Sequence, residues 1–151
     1  MKKFRFSMET VLHYREQMLD ALRAEHAATI TRVREQEREV EALNQKFDEI
    51  NAEYRQKKME GMTIADAVIF DGVLRVQENE IQKALRVLEE CRRAEEVKRS
   101  EVIAARTDKA TVEKLREKKL DSYRKAMEKS EEQFIDEFVS TTRVLTARSA
   151  Q

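Results

Sequence analysis

Residues 33–54 read VREQEREVEALNQKFDEINAEY, and this stretch decides the fold. Val33, Val40, Phe47 and Tyr54 fall seven residues apart, and Leu12 and Leu19 extend the row backwards. Leu22, Leu43 and Ile50 form a second row, each three residues after a position of the first. Two apolar rows in that relation are the a/d seam of a helix that must be covered by another helix along its length. The 151-residue chain has no proline and only two glycines, so nothing breaks this helix before Gly61. The spacing predicts an all-α fold: a long antiparallel two-helix coiled-coil hairpin with a protruding C-terminal helix.

Composition points the same way. Charged residues make up 40% of the chain and aromatics 6%, with no tryptophan, which suits solvated helices carrying a thin apolar stripe. Thirty basic and thirty acidic side chains cancel, so overall charge makes no case for nucleic acid or a membrane surface. The one cysteine, Cys91, has no partner for an internal disulfide, which fits a reducing cytoplasm. No apolar run approaches the roughly 20 residues needed to span a bilayer. The opening Met1-Lys2-Lys3-Phe4-Arg5-Phe6 lacks the apolar region of a secretory signal. The expectation is a soluble cytoplasmic protein with no direct membrane insertion.

The punctuation divides one coiled-coil domain, residues 1–151, into helix one over about 8–59, a turn over about 60–63 and helix two over about 64–147. Ser7 is an N-cap candidate, with Glu9 early in the first turn. Lys57 and Lys58 suit the carbonyl end, and Gly61 suits the left-handed residue that follows it. Thr63 and Asp66 read as an approximate capping box for the second helix. There the stripe passes through Leu74, Ile81 and Leu88, with Leu85 beside them. Val102, Val112, Leu115, Leu120, Tyr123, Met127, Phe134 and Phe138 continue it less regularly. Gly72 costs about 1 kcal/mol relative to alanine, and the pattern leaves open a kink, a close backbone approach or simple tolerance.

Lengths then become informative. At about 1.5 Å per residue, helix one is about 75–80 Å long and helix two about 125 Å. Paired from the turn, Ser7 lies opposite a residue near 115, and about thirty residues project without a partner in the chain. Leu120, Met127, Phe134, Ile135, Phe138 and Val139 would expose their stripe there, a surface that calls for another protein. Between Arg92 and Lys125 there are twelve basic and seven acidic residues, and Lys2, Lys3 and Arg5 fold to the same end. That end is basic, while Glu128–Glu137 is acidic. A basic open end suits an acidic docking partner.

No motif carries chemistry. His26 occupies a seam position far from the other histidine, His13, and reads as a tolerated polar seam residue rather than a metal ligand. Cys91 reads as a small apolar seam residue. Phosphate loops, nucleophile elbows and paired-cysteine motifs are missing, and carboxylates on exposed helices have nothing to tune them for acid–base work. The chain reads as a non-enzyme without catalytic, cofactor-binding or metal residues. At the tip, Phe47, Ile50 and Tyr54 precede the turn and Val68, Ile69, Phe70 and Val73 follow it. They read as a lock closing the hairpin, but Ile69, Phe70 and Val73 cannot all enter one seam, so a second binding surface is open there.

Two stretches carry a family resemblance. Phe4-Arg5-Phe6-Ser7-Met8-Glu9-Thr10-Val11-Leu12 resembles the Phe-x-Phe-Ser-Leu-x-x-Val-Leu opening of FliJ-type flagellar export proteins. Val112-Glu113-Lys114-Leu115-Arg116-Glu117-Lys118-Lys119, running on to Tyr123 and Arg124, is similar to that family's basic C-terminal segment, and Glu132–Glu137 to its ending. The resemblance implies a non-enzymatic stalk of the flagellar type III export apparatus, peripheral at the inner face of the cell membrane. It implies four kinds of partner: the hexameric export ATPase FliI, its regulator FliH, the export gate FlhA and flagellar substrate chaperones. Matched residue by residue, it nominates Phe4, Phe6, Leu115, Arg116, Lys118, Lys119 and Tyr123 for the ATPase ring. For the gate it nominates Tyr54, with Phe47 and Ile50 added on helical spacing. The equivalent injectisome stalk is a near relative. The rivals outside the family are a generic coiled-coil scaffold, homodimeric through the C-terminal helix and favoured by a tight dimer at micromolar concentration, and a nucleic-acid binder using Arg92–Lys125. Interleaved acids and the lack of a stacking platform argue against the last.

Overall fold

The computed structural model describes residues 2–150; Met1 and Gln151, which the one-domain expectation includes, lie outside them. Two α-helices account for nearly all of these residues: α1 (Glu9–Glu60) and α2 (Ile64–Ser149), packed against each other with no strand among the described residues. The fold is an all-α helical hairpin.

The turn between them follows from two residues. Gly61 has φ of 102°, the left-handed conformation that glycine adopts without a Cβ clash. Thr63 then caps α2: its carbonyl accepts from the Ala67 N–H at 3.1 Å and its Oγ1 accepts from the Asp66 N–H at 3.2 Å. At the other end of α1 the cap differs from the expected Ser7. The Met8 carbonyl accepts the first helical bond, from the Leu12 N–H at 2.9 Å, and the Glu9 N–H donates to the Phe6 carbonyl at 3.2 Å. Phe6 is buried and Met8 packs against the same cluster, so apolar anchoring sets the entry of the chain and Ser7 falls in the turn.

By spatial proximity the chain forms two compact units, residues 19–105 and residues 1–18 with 106–151. In the first, Leu19 (1% exposed) packs with Leu22, Val102 and Ala105, and Val40 packs with Val33, Leu43, Ala84 and Leu88. Partners fall in number on α2 as they rise on α1, the signature of antiparallel pairing. The buried and half-buried positions of α2 here alternate at three and four residues through Ala67, Phe70, Leu74, Gln77, Ile81, Ala84, Leu88, Cys91, Glu95, Lys98, Val102 and Ala105. The seam therefore takes Ala84, whereas Leu85 faces water. Gly72 has open space around the site of a Cβ, so no close backbone approach explains it.

Polar residues interrupt this seam where a small partner leaves room or where a charge can be answered. Gln36 Nε2 donates to the Ala84 carbonyl at 3.0 Å. His26 Nε2 lies 2.9 Å from Glu95 Oε1; the carboxylate can only accept, so Nε2–H is the donor. Glu95 also accepts from Arg99 at 2.8 Å. The His26 bond, followed by Arg99, holds the Glu95 carboxyl below its ordinary range against the opposing effect of burial. Lys98 bridges Glu25 at 2.8 Å and Glu101 at 3.0 Å, which raises its ammonium above the ordinary lysine value. Ion pairs that keep some contact with water add little net stability, so the main effect of these is to reject slipped registers.

Candidate functional site

In the unit formed by residues 1–18 and 106–151, α1 and α2 are joined by Leu12 and Val112, by Arg15 to Asp108 at 3.1 Å and by Glu9 to Arg116 at 3.3 Å. Pairing does not stop where α1 begins. Residues 2–7 continue along α2 as a non-helical strap. Phe6 enters the cluster with Leu12 and Val112, the Phe4 ring lies 5.4 Å from the Tyr123 ring, and Tyr123 Oη donates to the Lys2 carbonyl at 2.7 Å. A non-helical segment can advance up to about 3.3 Å per residue against about 1.5 Å for a helix, so the strap residues can cover about twice their number on α2. Leu120, Tyr123 and Met127 are half-buried as a result, and full exposure of α2 begins at Glu128 rather than near residue 120.

This strap carries the basic groups expected at the open end. Lys2, Lys3, Arg5, Ser7, Lys119 and Tyr123 border an open groove of about 910 Å³. The Arg116 guanidinium sits 5.9 Å from the Phe4 ring centre, and Lys118 and Lys119 are exposed. Lys125 pairs with Asp121 at 2.9 Å, and that hydrogen bond raises its ammonium above the ordinary value. The seven residues nominated for a ring contact thus gather on one unit, in two layers. Phe4, Phe6 and Tyr123 hold the strap down, with Phe6 too buried to offer a partner much surface. Leu115, Lys118 and Lys119 face outward, and Arg116 is half-buried.

The tip differs from the expectation in a way that helical geometry explains. Phe47 and Ile50 are half-buried and Tyr54 is 7% exposed. The Tyr54 ring stacks on Phe70 at 5.1 Å, and the Lys58 ammonium covers its face at 3.9 Å. These three residues lock the seam. Val68, Ile69 and Val73 do not face them; they are exposed, together with Met59, Val76 and Ile64, the last 85% exposed. The seam of α2 uses Ala67, Phe70 and Leu74, so the residues beside them on the helix surface must point away. Their apolar character was visible in the sequence.

Among the described residues, no group of His, Cys, Asp and Glu side chains could hold a metal ion, and no helix is long and apolar enough to cross a membrane. Protein surfaces are what this geometry offers: a basic strap-and-helix face, an apolar tip face and an apolar stripe on the unpaired part of α2. No curated protein and no solved structure matches the chain. The family model described as "Flagellar FliJ protein" matches residues 4–145, from the strap through the exposed stripe. The chain therefore belongs to the flagellar FliJ family and is a flagellar export-related protein.

Proposed function

We propose that this protein is a non-enzymatic stalk of the flagellar type III export apparatus, promoting assembly and activity of the hexameric export ATPase FliI. The observation that carries the reading is the basic strap-and-helix surface: Lys2, Lys3 and Arg5 border one groove with Lys119, and Lys118 is exposed next to Lys119 along α2. Phe4, Phe6 and Tyr123 keep that face preorganised, and Leu115, Arg116, Lys118 and Lys119 meet an acidic surface of the ring. Preorganisation matters because the cost of ordering a basic tail at the moment of binding is then removed. The mechanism is differential binding. A face that contacts adjacent ring subunits binds the hexamer more tightly than a lone subunit, and so draws subunits into the ring by mass action.

The apolar tip face serves the second contact, to the export gate FlhA, with Phe47, Ile50 and Tyr54 supporting it from the seam. FliH and flagellar substrate chaperones complete the set of partners. The protein works in the cytoplasm, peripheral at the inner face of the cell membrane at the flagellar base. The reading is tested by ATP hydrolysis and hexamer formation of the flagellar export ATPase with this protein at sub-stoichiometric ratio. Stimulation of both supports it; no change in either rate or assembly removes it.

A further inference from the structure

The stripe on the unpaired part of α2 continues the hairpin seam with a one-residue shift of phase after Met127. Within residues 1–18 with 106–151, the seam runs through Arg116, Leu120, Tyr123 and Met127. Two successive steps of four, Tyr123 to Met127 to Glu131, make that shift, and alternating steps of three and four then carry it through Phe134, Phe138, Thr141 and Leu145, all exposed. Phe134 is 70% and Phe138 65% exposed. This is half of a coiled coil.

Its order is nearly palindromic. Laid antiparallel on a second copy, Met127 meets Leu145, Glu131 meets Thr141, and Phe134 meets Phe138, and each contact recurs by the two-fold axis. Ile135 flanks the axis and meets its own copy. Charge selects the same direction. Residues 128–137 hold Glu128, Glu131, Glu132, Asp136 and Glu137 against Lys129, whereas residues 138–150 hold Arg143 and Arg148 and no acid. Antiparallel pairing sets the acidic half against the basic half; parallel pairing stacks acid on acid and Glu131 on its own copy. We propose that this stripe is a self-association surface, covered by the same stripe of a second copy in an antiparallel, isologous dimer.

The dimer is weak. Phe134, Phe138 and Leu145 together expose about 400 Å² per copy, short of the roughly 800 Å² per partner of a standard stable interface. Glu137 faces its own copy near the axis, which weakens the pairing further. The free protein therefore covers its stripe when concentrated and releases it on dilution. The residues differ from those of the proposed ring contact, so either reading can fail alone.

Sedimentation of the full chain tests it. The weight-average mass should move from 17.8 kDa toward twice that value between about 1 and 200 µM. Phe134→Asp with Phe138→Asp should hold it at one chain, with helicity by circular dichroism unchanged because both side chains are exposed. Direction is read from single cysteines placed in a Cys91→Ser background and oxidised. Ile135→Cys should cross-link to itself, and Leu145→Cys, which the antiparallel pairing keeps far from its own copy, should not. A chain that stays monomeric throughout overturns the proposal. So does a dimer that survives the double substitution, or one that cross-links through Leu145→Cys and not Ile135→Cys.

Discussion

Replacing Phe4 with alanine should release the N-terminal strap from α2 while leaving the helices paired. The Phe4–Tyr123 ring pair, at 5.4 Å, is worth about 0.5–1.5 kcal/mol. The Arg116 guanidinium over the same ring, at 5.9 Å and largely hydrated, adds about 0.5 kcal/mol. Returning a half-buried benzyl group to water costs about a further 1 kcal/mol. Together these give about 2–3 kcal/mol, a shift of roughly 30- to 150-fold between docked and free strap. Tyr123→Phe keeps the ring pair and loses one hydrogen bond, the 2.7 Å bond to the Lys2 carbonyl. That bond is worth about 1 kcal/mol, or roughly fivefold. Trypsin reads the difference directly, because Lys3 and Arg5 lie in the strap. At low protease, N-terminal trimming followed by mass spectrometry tracks the open population. Trimming should accelerate strongly for Phe4→Ala and about fivefold for Tyr123→Phe. A Phe4→Ala rate within about threefold of the unmodified protein would refute the ring clamp, as would a larger effect from Tyr123→Phe.

The two glycines should respond oppositely to alanine. Gly61→Ala forces a Cβ onto a φ of 102° and should lower the urea midpoint by the equivalent of about 1–2 kcal/mol. Gly72→Ala, with open space at its Cβ, should raise stability by about 0.5–1 kcal/mol. The lowered Glu95 pKa makes stability depend on acid. Its contribution is present above the ordinary glutamate value of 4.5 and is lost as pH falls through the lower folded-state value. Glu95→Gln should therefore flatten the fall in urea midpoint between neutral pH and about pH 3.5, compared with the unmodified chain. Lys98 has the opposite sign: its raised pKa gives stability that persists through neutral pH and is lost only as pH rises above the ordinary lysine range.

The hairpin was legible because its rows obey one rule. Leu12, Leu19, Val33, Val40, Phe47 and Tyr54 all lie buried or half-buried on the predicted seam. The polar seam members of α2 were not legible, although His26 on α1 was. Gln77, Glu95 and Lys98 look like solvated residues until the partner helix supplies His26, Glu25 and the confined space between the helices. Leu85 misled for a related reason: a large apolar residue beside a small one draws the stripe toward itself, yet the three–four spacing selects Ala84. The strap was hidden because a heptad count ends where the helix ends, whereas the non-helical residues before α1 keep pairing with α2. That is why about ten fewer residues of α2 are bare than helical lengths alone imply. At the tip, apolar composition was plain, but which side chains face water depends on which neighbour takes the seam.

The central claim, that the basic strap-and-helix face draws export ATPase subunits into a ring, is tested most directly by Lys118→Glu with Lys119→Glu. Both side chains are exposed, so the fold should survive the change. ATP hydrolysis and hexamer fraction would be measured for the flagellar export ATPase with each form at sub-stoichiometric ratio, over a series of salt concentrations. The unmodified protein should stimulate both, less at high salt; the double variant should lose most of the stimulation and the salt dependence with it. Equal stimulation by both forms at every salt concentration would contradict the account.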